Sequence, residues 1–212
     1  PSRPRADEAR AWPEPQLLAQ RDRPRESWSS RTLRDLTVTT VYDNGLASRF
    51  RQMAIQPLTD EAAATARQFS FAYHADRQEV QIRAARVYRR DGRVDEAIES
   101  GEGAASDPSI AMYTSVRTFY VQFPKLEAGD VVELRYRVDD VAKRDELDPV
   151  FDEIEALQSD DPVLSREWVL VSPLGPAIDV ELHNAPWAKL EASERDGLRT
   201  HRVASVDVPP LV

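Results

Sequence analysis

The segment Val132–Asp139 constrains the fold most, because apolar and polar residues alternate along it. The apolar positions are Val132, Leu134, Tyr136 and Val138, and the polar positions between them are Glu133, Arg135, Arg137 and Asp139. A period of two is typical of a half-buried strand in an antiparallel sheet. We therefore expect the apolar set to face the core. The charged set mixes both signs, so we expect it to face solvent or a partner.

The residues before this strand predict a second strand that pairs with it. Phe119, Val121 and Phe123 lie on one side of an extended run that Pro124 ends. With Gly129-Asp130 as the turn, Tyr113–Asp140 is predicted to be a β-hairpin.

Strand and turn signals recur through the rest of the chain. Asn44-Gly45, Asp91-Gly92 and Asp196-Gly197 predict hairpin turns. Further strands are predicted at Leu36–Tyr42, Leu46–Ile55, Phe69–Tyr73, Glu79–Arg89 with a bulge near Ala84, Glu167–Val171, Ile178–Leu182 and Leu198–Val208. Roughly nine or ten strands with little helix predict an all-β fold, a two-layer antiparallel β-sandwich.

Three ranges lack a clear strand signal. Thr59–Ala66 indicates a short helical turn with Thr59 as its N-cap. Residues 99–109 combine Gly, Ser and an Asp-Pro pair, which predicts a loop. Residues 140–162 are acidic, and a helix and a short strand are equally compatible with their pattern.

The first 31 residues differ in composition from the rest of the chain. They hold five of the 15 prolines and seven arginines. This favours a flexible linker before one domain at residues 32–212. The alternative is an arm that lays Trp12 and Trp28 onto the domain.

Charge and composition argue against several classes of function. The net charge is -9, which disfavours binding to nucleic acid or to an anionic membrane surface. No apolar run approaches the roughly 20 residues needed to span a bilayer. The chain has no cysteine, which excludes disulfides, thiol nucleophiles and cysteine-based zinc sites.

Candidate chemistry is sparse, and no residue is predicted to be catalytic or to bind a metal or cofactor. His74, His183 and His201 all follow the polar side of their strands and lack metal-ligand spacing. The acidic stretch lacks the glycine turn of a calcium loop, so we interpret it as a solvated face. Two aromatic side chains are candidates for binding a peptide or glycan: Trp187 in a loop and Tyr120 on a sheet surface.

Five sequence pieces together resemble a bacterial domain of unknown function that precedes a transglutaminase-like domain in many exported or envelope-associated proteins. They are VYDNG at 41–45, FAYHADRQEVQIRAARVYRRDGRV at 71–94, RTFYVQFPKLEAGDVVELRYRV at 117–138, LQSDDPVLSREWVLVSPLG at 157–175 and ELHN at 181–184.

The resemblance implies a non-catalytic β-sandwich module in the periplasm or another exported location. It also implies that the two ends are cut from a longer polypeptide. The expected partners are the downstream transglutaminase-like domain and an envelope protein, peptide or glycan. The catalytic Cys–His–Asp set of that neighbouring domain would lie outside this chain.

Overall fold

A computed structural model describes residues 7–21, 28–103, 115–142, 151–175 and 177–211. These residues include a 3-10 turn, Glu8–Arg10, and two short helices, α1 (Glu14–Arg21) and α2 (Asp60–Thr65). They also form eleven strands, β1 to β11 in chain order: Ser30–Val41, Ala47–Pro57, Gln68–His74, Gln78–Tyr88, Val94–Glu96, Glu99–Gly103, Val116–Gln122, Val131–Asp140, Val163–Pro173, Lys189–Arg195 and Leu198–Val208.

The strands form two sheets, which confirms the all-β sandwich. The large sheet has the order β10-β11-β9-β1-β2-β8-β4-β5, and the small sheet has the order β3-β7-β6. All pairs are antiparallel except β1 with β9, which run parallel at the centre of the large sheet. The predicted interior strand is β9, which is buried on both faces over most of its length.

The predicted hairpin at Tyr113–Asp140 is wrong, although both of its strands exist. β7 pairs with β3 and β6 in the small sheet, whereas β8 pairs with β2 and β4 in the large sheet. The connection at residues 123–130 begins with Phe123 and Pro124, and Phe123 and Leu126 are buried. It therefore crosses from one layer to the other. Tyr113 lies outside the described residues.

The core between the layers lies on one face of the large sheet, here called the inner face. Val132, Leu134 and Tyr136 of β8 are buried there, as the alternation predicted. Phe71 of the small sheet stacks on Tyr136 with ring centroids 4.1 Å apart. An aromatic pair in this offset geometry contributes about 0.5–1.5 kcal/mol beyond the area that it buries.

Several local predictions are confirmed in detail. Gly45, Gly92 and Gly197 have positive φ at the three predicted turns. Thr59 caps α2 by accepting a hydrogen bond from the backbone N–H of Ala62 at 3.2 Å. The predicted bulge lies between Ile82 and Ala84.

Other ranges differ from the prediction. Residues 99–103 form β6 instead of a loop, and residues 104–109 lie outside the described part. Residues 177–182 form no strand, although Ile178, Val180 and Leu182 still pack on the inner face. Residues 151–162 are neither helix nor strand. A segment with an alternating pattern forms a strand only if it pairs with a neighbouring strand. The sequence pattern does not show whether such a neighbour is present.

The opposite, outer face of the large sheet is covered by residues 7–21, here called the N-terminal segment. Leu17 of α1 is fully buried, and Trp12 packs beside it. This arrangement corresponds to the alternative in which Trp12 lies on the domain. Trp28 is half-buried.

The charged side of β8 therefore does not face solvent, which was one of the two alternatives expected; the N-terminal segment of the same chain covers it. Glu133 and Arg137 are buried. Arg137 pairs with Asp7 at 2.7 Å and with Glu8 at 3.1 Å. The amide of Gln52 both donates to the carbonyl of Trp12 at 2.8 Å and accepts from its N–H at 2.7 Å. The N-terminal segment satisfies polar groups that would otherwise be costly to bury.

Candidate functional site

The inner face carries two separate covers, and a cleft lies between them. The small sheet covers β4 and β8, while residues 151–157 and 178–190 pack over β9 and β11. The gap between these covers encloses about 950 Å³ and is floored by β1 and β2. Pockets for small ligands commonly have volumes of about 300–1,000 Å³.

Charged side chains lie on the floor of the cleft because two adjacent strands place polar residues on the inner face. Arg51 of β2 binds both carboxylate oxygens of Asp35 of β1, each at 3.2 Å. Arg166 of β9 also contacts Asp35 at 3.2 Å and Glu155 at 3.3 Å. Burial alone would lower the pKa of Arg51, but the electrostatic attraction of Asp35, Tyr136 and Glu155 and the hydrogen bond to Asp35 together outweigh burial, and the pKa is raised. Arg51 therefore stays charged beneath the cleft.

A second ion pair lies where the floor meets the cover. Arg49 of β2 contacts Glu153 Oε1 at 2.9 Å, and the indole N–H of Trp168 donates to the same oxygen at 3.3 Å. The side chain of Glu153 is only 4% exposed. Thr39 lies directly across from Arg49 in the β1–β2 pair.

Two buried polar atoms in the lining have no hydrogen-bond partner among the described residues: Thr39 Oγ1 and Glu153 Oε2. Most buried polar side-chain atoms in proteins are paired, and an unpaired one costs about 1–3 kcal/mol. Two residues of the lining therefore have hydrogen-bonding capacity that the described residues do not use.

Aromatic and acidic groups complete the lining. Phe71 and Tyr136 form the wall on the side of the small sheet, and Tyr42 and Phe151 lie nearer solvent. Burial is the largest cause of a raised pKa at Tyr136, which Arg51 opposes, so its phenol stays neutral. The exposed carboxylates of the rim are Asp43, Asp152 and Asp179.

The two residues predicted to bind a ligand lie outside this cleft and are not brought together. Trp187 is 40% exposed in the loop before β10, at one edge of the large sheet. Tyr120 is half-buried on β7 in the small sheet, where its hydroxyl donates to Glu99 at 2.8 Å. A Cβ at Gly101 would lie 3.1 Å from the Tyr120 hydroxyl oxygen. Tyr120 therefore already packs against β6.

The histidines do not form a site. His74 Nδ1 lies 3.3 Å from Ser115 Oγ, and exposed His183 lies 3.1 Å from Glu181. The prediction that His201 points outward is wrong. It is buried beside Val203 on the inner face, where burial first and Arg199 second lower its pKa. Among the described residues, no group of three or more potential ligands could hold a metal.

Sequence reasoning missed the cleft because its residues come from distant parts of the chain. Arg49 and Arg51 alternate with buried residues of β2, so the period-two pattern places both on one face. That signal identifies a polar strand face. It does not show that residues 151–157 pack beside it, because those residues follow no regular period.

No helix in the described part of the chain is long and apolar enough to cross a bilayer.

Solved structures resemble this chain to different degrees, all at low sequence identity. A "putative protease" from Parabacteroides distasonis superposes with a TM-score of 0.78 at 19% identity, over 87% of this chain and 36% of that one. An M1 zinc metallopeptidase from Deinococcus radiodurans gives a TM-score of 0.39 at 12% identity, over 84% of this chain and 39% of that one. A family 3a carbohydrate-binding module from Clostridium thermocellum gives 0.30 at 10% identity, over 53% and 76%.

The first of these comparisons establishes the fold alone, and the two with TM-scores below 0.5 support no argument. The chain spans 36% of the length of the Parabacteroides protein. The comparison with curated proteins gives no match. The model of a domain of unknown function, DUF3857, matches residues 43–212. The chain therefore belongs to the DUF3857 family of domains of unknown function.

Proposed function

We propose that this chain is a non-catalytic β-sandwich module that binds a partner through the inner-face cleft. The partner is a downstream transglutaminase-like domain, which the module would position, or a protein of the cell envelope. The observation that carries the proposal is the cleft itself, whose volume is about 950 Å³ and whose floor holds unpaired buried polar atoms. An exported or periplasmic location belongs to the same proposal.

The ion pairs at the floor of the cleft support a role in binding. Arg51 and Arg166 are both held by Asp35, and Arg49 is held by Glu153. General acid–base catalysis requires a group that can exchange a proton near neutral pH. An arginine paired with a carboxylate does not exchange a proton there. Such pairs instead offer a rigid, preorganised surface on sheet strands.

A substitution that fills the cleft tests this proposal. Ala47 lies on the inner face at the start of β2 and lines the cleft. Ala47→Phe should abolish binding of the purified downstream domain or envelope partner, measured by calorimetry. The matched control is Ala192→Phe on exposed edge strand β10. Unchanged binding by a folded Ala47→Phe protein would reject the cleft as the contact surface.

A second candidate function is peptide or glycan binding by exposed aromatic residues. The exposure of Trp187 at a loop favours it, because stacking on a sugar or peptide needs an accessible ring. Trp187→Ala should then weaken binding on a glycan or peptide array. Tyr120→Ala should weaken it less, since the Tyr120 hydroxyl is already bound by Glu99. An array without any hit for the wild-type protein would eliminate this candidate.

A further inference from the structure

The charge of the cleft lining is unbalanced towards acids. Five carboxylates line it against three arginines. Arg49 and Arg51 are already neutralised by Glu153 and Asp35. The exposed rim carboxylates listed above are not offset in this way, so the entrance of the cleft has a negative potential that attracts cations.

The unused hydrogen-bonding capacity of the floor favours a ligand that donates hydrogen bonds. Glu153 Oε2 is a buried oxygen that accepts none from the described residues. An ionised carboxylate can only accept, so its missing partner must be a donor. Thr39 Oγ1, also without a partner, can accept from the same ligand. Guanidinium and ammonium groups offer several donors and a positive charge together.

The aromatic residues of the lining fit the same kind of ligand. Tyr42 is 41% exposed at the end of β1, and Phe151 is half-buried on the facing cover. Both belong to the lining. Aromatic faces attract guanidinium and ammonium groups, and they also pack against the aliphatic stems of arginine and lysine.

We infer that the cleft binds an extended basic peptide segment. An arginine or lysine side chain of this segment donates to Glu153 Oε2 and Thr39 Oγ1, while its neighbouring residues lie between the two covers. The inference rests on the proposed function and adds the chemistry of the partner. A peptide fits better than an isolated cation because the lining comes from β1, β2, β3 and both sides of the gap.

Fluorescence anisotropy with labelled, capped peptides tests the inference. One peptide alternates alanine with arginine, a second replaces each arginine by glutamine, and a third replaces it by glutamate. We expect the arginine peptide to bind at least about tenfold more tightly than the glutamine peptide, which corresponds to one charge-assisted contact. The glutamate peptide should not bind. High salt should weaken binding of the arginine peptide because the rim charges become screened.

Two substitutions and one control test whether the peptide binds in the cleft. Glu153→Gln keeps the shape of the side chain and removes its charge, so binding of the arginine peptide should weaken by about tenfold or more. Asp152→Asn should weaken it a few-fold, because Asp152 is exposed at the rim. The control, Asp196→Asn, removes an exposed charge at the β10–β11 turn and should have no effect. If Glu153→Gln fails to fold, Asp152→Asn still reports on the rim.

The outcomes separate this inference from the proposed function. Equal binding of the arginine and glutamine peptides would overturn the charge argument, and it would leave a peptide-binding cleft in place. Tighter binding of a free polyamine than of the arginine peptide would overturn the peptide assignment. If no peptide binds while Ala47→Phe still abolishes partner binding, the basic segment is wrong and the proposed function stands. If Ala47→Phe also has no effect, both are wrong.

Discussion

Leu17→Ala tests whether the N-terminal segment is part of the folded domain. Leu17 is fully buried against Leu33, Tyr88 and Leu164 of the large-sheet region. A flexible linker would make the substitution nearly neutral, within about 0.5 kcal/mol. If α1 is docked on the sheet, the substitution removes part of a core side chain. The loss in free energy of unfolding is then much larger than for a flexible linker, and it can be measured.

The magnitude follows from the position of α1. Leu→Ala at a buried site costs about 2–5 kcal/mol, and the cost is smaller where neighbouring groups can collapse into the cavity. α1 has eight residues and lies on the outside of the sheet, with Leu17 as its buried residue. It can move inward, so we expect the lower part of the range, about 2–3 kcal/mol. For a chain of this length, that lowers Tm by about 4–12 °C.

The measurement is urea unfolding at equilibrium, followed by circular dichroism, together with thermal melting. The control is Gln16→Ala, which changes an exposed neighbour on the same helix and should alter stability by less than about 0.5 kcal/mol. Leu17→Ala and Gln16→Ala proteins of equal stability would show that α1 is not docked in solution. The outer-face interactions of Arg137 and Gln52 described above would then be lost as well.

Three further predictions concern stability. Burial raises the pKa of Glu167, but the hydrogen bonds and charges of Arg34 and Arg202 together outweigh burial and lower that pKa below its ordinary value. Glu167→Gln should therefore flatten the loss of stability as pH falls below about 4.5. An unchanged slope in acid titrations would contradict this. The lowered pKa of His201 means that the unfolded chain binds a proton first, so stability should decline as pH falls below about 6.5. His201→Gln should reduce that decline, and an identical decline would refute the assignment. Thr59→Ala should cost about 1 kcal/mol in urea unfolding through loss of the α2 cap, and a change below about 0.3 kcal/mol would contradict it.

The strands could be predicted from sequence because their signals are local. The alternation in β8, the glycines at the turns and the Thr59 cap each depend on a few consecutive residues. Partners of strands are not local properties. β7 and β8 look like a hairpin because they are consecutive, yet they belong to different sheets. Nothing in the eight residues between them distinguishes a turn within one sheet from a crossing between two.

Burial of charge was the least predictable property of the chain. Arg137 and Glu133 have the spacing of a solvated strand face, and the structure places both on one face of β8. What covers this face is a segment more than 100 residues away in sequence, rich in proline and arginine, which resembles a linker in composition. The candidate site was missed for the same reason, since Glu153 reaches Arg49 from a segment without regular structure.

The two faces of the β1–β2 pair therefore present the same physical problem, which is the burial of polar groups on a sheet. On the outer face, the N-terminal segment supplies partners for polar groups, including two of the three hydrogen bonds to the amide of Gln52. On the inner face, Asp35 and Glu153 neutralise the arginines, but Thr39 Oγ1 and Glu153 Oε2 are left without partners among the described residues. A sheet whose outer face is completed by an extended segment can be completed in the same way on its inner face. In the proposal above, the inner-face segment comes from a partner and supplies donors, whereas the N-terminal segment provides both donors and acceptors on the outer face.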